Sequence, residues 1–93
     1  MIQSFGDKET EALFNRERIK KLPQNMYQQA RRKLLIIHAA TNENDLCIPP
    51  GNHFEKLKGR KKGLCSIRIN KQWRITFRWS AGNANDVLIE DYH

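Results

Sequence analysis

The sequence predicts an α+β domain in which two helices from the first half pack on one face of a small, mainly antiparallel sheet formed by the second. Three observations carry that expectation. Between Lys8 and Ala40 apolar residues recur at helical spacings, and after Pro49-Pro50-Gly51 they alternate with polar ones as in strands. The chain has 93 residues, 39% of them hydrophobic, which suffices for one modest core, so residues 1–93 are read as a single domain.

Each element follows from a local pattern. Met1 to Phe5 is short, partly apolar and closed by Gly6-Asp7, as a strand and turn would be. From Lys8 a first helix turns Ala12, Leu13, Ile19 and Leu22 inward, leaves Glu9, Glu11, Arg16, Arg18 and Lys20 in water, and stops at Pro23. A second helix, from about Gln24 to Ala40, lines up Met26, Ala30, Leu34 and Ile37 and is expected to lie antiparallel to the first. Phe54 to Leu57, Leu64 to Asn70, Trp73 to Trp79 and Val87 to Tyr92 read as strands, separated by Lys58-Gly59, Asn70-Lys71-Gln72 and Ala81-Gly82-Asn83.

Composition narrows the function classes. A net charge of +7 and an isoelectric point near 9.8 favour a polyanionic partner, nucleic acid first among them. Cys47 and Cys65 have neither zinc-site spacing nor the density of a secreted disulfide scaffold, so reduced thiols and no metal are expected, and the single small domain leads to the expectation of no cofactor. No apolar run approaches the ~20 residues of a membrane span, and the opening residues do not form a signal sequence. The expected location is the cytoplasm.

Strand alternation then collects the charge. Cys65, Ile67 and Ile69 point one way and Ser66 and Arg68 the other; Trp73, Ile75 and Phe77 alternate with Arg74, Thr76 and Arg78. A short hairpin at Lys71 sets Ile67 opposite Ile75 and Arg68 opposite Arg74. Like charges so placed cost up to ~1 kcal/mol, less when an anion lies between them. Each arginine alone reads first as part of a solvated face, paired with Glu55, Glu90 or Asp91. Together with Lys56, Lys58, Arg60, Lys61 and Lys62, and with Glu55 the only acid between Phe54 and Trp79, they read as a phosphate-binding groove.

The segment Ile89-Glu90-Asp91-Tyr92-His93 places an acid, a phenol and an imidazole together. Those groups suit RNA cleavage without a metal, in which the 2′-hydroxyl attacks the adjacent phosphate. A base takes the 2′ proton, cations stabilise the phosphoryl oxygens and an acid protonates the leaving oxygen. Arg68, Arg74 and Arg78 can supply charge, His93 a proton-transfer group, and Asp91, Glu55 or Tyr92 the remainder. His53, just before the basic strand, is a further candidate; His38, within the apolar second helix, reads as structural.

The stretch Pro49-Pro50-Gly51-Asn52-His53-Phe54-Glu55-Lys56-Leu57-Lys58-Gly59, with Ser66-Ile67-Arg68-Ile69-Asn70 and Gln72-Trp73-Arg74-Ile75-Thr76-Phe77-Arg78-Trp79, resembles the HigB-type plasmid-maintenance killer toxins of the RelE superfamily. The opening Met1-Ile2-Gln3-Ser4-Phe5 and the segment Glu90-Asp91-Tyr92-His93 resemble theirs as well. The resemblance implies a microbial-ribonuclease-like fold and cleavage of messenger RNA in the A site of the 70S ribosome. It further implies a HigA-like helix-turn-helix antitoxin, with operator DNA reached only through the antitoxin complex. Arg74 matches the family's phosphate-facing arginine, Asp91, Tyr92 and His93 its functional terminal segment, and Lys58 and Arg68 basic positions. One departure is plain: some members carry a catalytic histidine where this chain has Glu55, which leaves Glu55, His53 and His93 open as the base. A non-catalytic RNA- or DNA-binding module and a protein-interaction subunit are the competing readings.

Overall fold

The computed structural model describes residues 1–48, 50–57 and 63–91. Strand alternation fixes its architecture. β1 (Glu55–Lys56), β2 (Leu64–Arg68), β3 (Trp73–Ser80) and β4 (Asn83–Asp91) form an antiparallel sheet in the order β1-β2-β3-β4. The expected hairpin register holds, with Ile67 opposite Ile75 and Arg68 opposite Arg74. Ile67, Ile75, Phe77 and Ile89 are wholly buried, together with Leu13, Leu34 and Ile37 from the helices, in one core cluster. Each such side chain contributes roughly 1.5–3 kcal/mol relative to exposure, which is what holds the helices to the sheet.

The link between β3 and β4 is a two-residue turn whose central residues, Ala81 and Gly82, have φ of 52° and 78°. Positive φ at both positions matches the twist of the flanking strands. β4 begins at Asn83, earlier than the expected Val87, because a bulge breaks its alternation. Thr76 faces Leu88 but Arg78 faces Asn85, so β4 carries one extra residue there. Asp86 takes the left-handed conformation, φ 55°, within that bulge. The N-terminal segment, read as a strand, instead makes isolated parallel bridges to β4, from Ile2 to Ala84 and from Phe5 to Val87. His38 has the structural role read from its helix: its Nδ1 accepts the Ile2 backbone N–H at 3.2 Å, and its ring packs on Phe14.

The first helix is shorter than its apolar pattern suggested. α1 spans Lys8–Phe14, with Asp7 as N-cap accepting from the Thr10 backbone N–H at 2.7 Å. It ends in a reverse turn in which Glu17 N–H reaches Ala12 O, Arg16 N–H reaches Leu13 O, and Arg16 sits at φ 66°. That closure normally uses glycine, so no residue type announced it. Leu22 is still buried and Ile19 still packs on the core, but from a loop. The loop is held by the Tyr27 hydroxyl, bonded to both backbone groups of Ile19, and by Glu9, which accepts from Lys20 and Lys21 N–H.

The second helix matches its pattern. A 3-10 turn at Gln24–Met26 leads into α2 (Tyr27–Ala39), which buries Ala30, Leu34 and Ile37. A short third helix, α3 (Glu43–Leu46), was not expected. It is nucleated by a reciprocal capping box between Asn42 and Asp45 and buries Leu46 completely. Among the described residues, no helix is long and apolar enough to cross a membrane.

Candidate active site

The sheet face away from the core is where the chemistry gathers. Residues paired across an antiparallel sheet share a face, so the registers align Glu55, Ser66, Thr76 and Leu88 in one row and Arg68, Arg74 and Glu90 in the next. Arg74 thus lies between a like charge on β2 and an opposite charge on β4. It is only 7% exposed, and Ser66 and Thr76 beside it are 0% and 6% exposed, so this is a recessed polar site.

A recessed guanidinium has to be neutralised and hydrogen-bonded to be tolerated. Arg74 donates from Nη1 to Ser66 Oγ at 2.9 Å and pairs with Glu55 Oε2 at 3.6 Å. The Glu55 side chain is half exposed, leaving that ion pair open on its solvent side. Across from it, Arg68 Nε is buried without a hydrogen-bond partner among the described residues. Two arginines opposite each other in the register, with Ser66 and Thr76 beside them, make this a basic and polar stretch of the sheet suited to an anion with several oxygens.

The approach to β1 is fixed from below. Asn52 is wholly buried and donates to Leu46 O and Ile48 O, each at 3.1 Å, while Lys33 Nζ donates to its side-chain oxygen. Burial and the neighbouring Arg32 push the Lys33 ammonium below the usual lysine range. Asn52 thereby ties the loop before Glu55 to the helical layer.

Register also sorts the other candidate residues. Lys56, grouped with the groove in sequence, pairs with Cys65 on the core side, and its ammonium meets Glu43 of α3 at 2.9 Å. That bond holds it above the usual lysine range and away from Arg74. Arg78 keeps the face of Arg74 but lies four residues along β3, about 13 Å away at ~3.3 Å per residue, where it pairs with Asp86 at 3.7 Å. Asp91 faces Trp73 and accepts from Gln72 at 3.2 Å, whereas Glu90 faces Arg74. His53 is exposed in the loop before β1, at φ 46°. Lys58, Arg60, Lys61, Lys62, Tyr92 and His93 lie outside the described residues. Sequence reasoning assigned Ser66, Thr76 and Glu90 no part in the site. Alternation already put Ser66 and Thr76 on the arginine face, but their burial follows only from the assembled sheet.

Neither thiol joins the cluster. Cys65 is buried, which pushes its thiol up from the ordinary cysteine range, and Cys47 is exposed outside the sheet. Among the described residues no group of histidine, cysteine and acidic side chains could hold a metal ion.

Comparison with known proteins matches residues 3–93 to the family described as RelE-like toxin of type II toxin-antitoxin system HigB. Toxin HigB-1 of Vibrio cholerae serotype O1 is 42% identical over 93 residues, covering 99% of this chain and 98% of its own. Endoribonuclease HigB of Proteus vulgaris is 32% identical over 93 residues, covering the whole of both chains. Among solved structures, a point mutant of YafQ from E. coli superposes with a TM-score of 0.62 over 98% of this chain and 91% of that one. At 14% identity, that last likeness concerns the fold alone.

Proposed function

The chain belongs to the HigB family of RelE-like toxins of type II toxin-antitoxin systems, and from that premise we propose that it is a metal-independent endoribonuclease that cuts messenger RNA in the ribosomal A site. The observation that carries the proposal is the recessed Arg74, bonded to Ser66, paired with Glu55 and set opposite Arg68. A scissile phosphate entering this face meets fixed positive charge without having to reorganise it, and so gains most as negative charge builds up on its oxygens.

In this reading the 2′-hydroxyl is the nucleophile. It attacks the adjacent phosphorus, the bond to the 5′-oxygen breaks, and the products are a 2′,3′-cyclic phosphate and a 5′-hydroxyl. Arg74 and Arg68 stabilise the phosphoryl oxygens. Glu55, beside Arg74, together with Asp91, Tyr92 and His93 of the terminal segment, supplies the proton acceptor and donor. Glu55 stands where the resemblance implies a catalytic histidine in some members, and its half-exposed side chain leaves its carboxylate accessible to substrate. Lys58, Arg60, Lys61, Lys62 and Arg78 add phosphate contacts along the message and ribosomal RNA. The ribosome aligns the 2′-hydroxyl with the phosphate, compensating for a sparse acid-base set.

The partner is a neutralising antitoxin with a HigA-like helix-turn-helix domain, through which operator DNA is contacted, and the site of action is the cytoplasm. Expression of the chain alone should arrest growth, and co-expression of the antitoxin should restore it. Mapping of 5′ ends should then show new ends on translated messages and none on a message lacking a start codon. Retardation of RNA with no new ends would instead identify a non-catalytic binding module.

A further inference from the structure

Among the described residues Ser66 is the one wholly buried hydroxyl on the arginine face, and its Oγ accepts from Arg74 Nη1 at 2.9 Å. Its backbone is fixed on both sides, opposite Glu55 of β1 and Thr76 of β3. Thr76 beside it is itself 6% exposed, so Ser66 sits in a closely packed part of the sheet. Glu55 meets Arg74 at a longer 3.6 Å and is half exposed, so it restrains the guanidinium less.

We propose that Ser66 is a positioning residue that clamps one edge of the Arg74 guanidinium and fixes the plane in which it meets the scissile phosphate. A planar guanidinium anchored at one nitrogen keeps only a narrow range of orientations, and that preorganisation favours the transition state. The hydroxyl does not touch substrate. Its effect passes through Arg74, so the inference rests on Arg74 being the phosphate-binding group proposed above.

The test is single-turnover message cleavage on programmed ribosomes, measured against toxin concentration. Ser66→Ala should lower the maximal rate about tenfold while leaving the half-saturating concentration unchanged. Ser66→Thr, which keeps the hydroxyl, should stay within about threefold of the parent. In an Arg74→Lys background, where no planar group remains to be oriented, Ser66→Ala should cost less than about twofold. Should Ser66→Ala not fold by circular dichroism, Ser66→Cys, which keeps the size but is a poor acceptor, is read in its place. An unchanged maximal rate, an equal loss in both backgrounds, or a Ser66→Thr rate as low as that of Ser66→Ala each overturns the positioning role. Full activity of Arg74→Ala instead overturns the reading beneath it, whatever Ser66 does.

Discussion

Replacing Arg74 by alanine separates the chemistry of the site from the stability of the fold. The side chain lies on the sheet face away from the core, so its removal leaves the apolar cluster intact. Its loss forfeits a charge-assisted bond to Ser66, about 1.5–3 kcal/mol, and a half-exposed pair with Glu55, at most ~1 kcal/mol. It also relieves repulsion from Arg68, up to ~1 kcal/mol. The balance is a destabilisation of about 2 kcal/mol, or roughly 8–16 °C in Tm for a domain of this size. Loss of one preorganised donor to the phosphoryl oxygens costs about 2.7–4 kcal/mol in the transition state, or 100- to 1,000-fold in rate. Cleavage should therefore almost vanish at a temperature where circular dichroism still reports a folded protein, and Arg74→Lys should recover only part of it. Full activity of Arg74→Ala in a translation-coupled assay would refute the assignment.

Other outcomes follow from single features. His93→Gln should slow the chemical step at least ~100-fold if the imidazole transfers a proton; an unchanged single-turnover rate would move that task to Glu55 or His53. Burial pushes the Asp7 carboxyl upward, but its bonds from Lys21 and Thr10 prevail and hold it below the usual range. A depressed folded value means stability present above about pH 4 and lost as pH falls through that value, so Asp7→Asn should be less stable than the parent near neutrality and converge with it in acid. Equal Tm differences at pH 7 and pH 2.5 would contradict this. Arg16, at φ 66°, occupies a position suited to glycine; Arg16→Gly should raise stability by about 0.5–1 kcal/mol, and a lower Tm would show that the arginine side chain outweighs its backbone strain.

Much of this arrangement is legible in the amino-acid sequence. Period-two alternation through Cys65 to Phe77 gave both faces of the central hairpin and the opposition of Arg68 and Arg74, because strand geometry leaves little freedom once the turn is placed. What escaped was decided by backbone conformations that side-chain types did not announce. Arg16 ends α1 in a conformation usually left to glycine, and Asp86 creates the bulge that hid the start of β4. The reciprocal caps of Asn42 and Asp45 form α3 in a stretch too short for periodicity to register. Lys56 seemed part of the basic groove because it is adjacent in sequence, yet pairing with Cys65 turns it toward Glu43. The burial of Ser66 and Arg74 depends on the whole sheet and is invisible in any one strand.

The most direct test of the proposed chemistry is the identity of the RNA ends. Programmed ribosomes carrying a defined message in the A site should be incubated with the protein, and the fragments analysed for their termini. A 2′-hydroxyl attack directed by Arg74 leaves a 2′,3′-cyclic phosphate on the upstream fragment and a 5′-hydroxyl on the downstream one, with cleavage lost in Arg74→Ala. A 5′-phosphate on the downstream fragment, or an intact message at saturating protein, would contradict it.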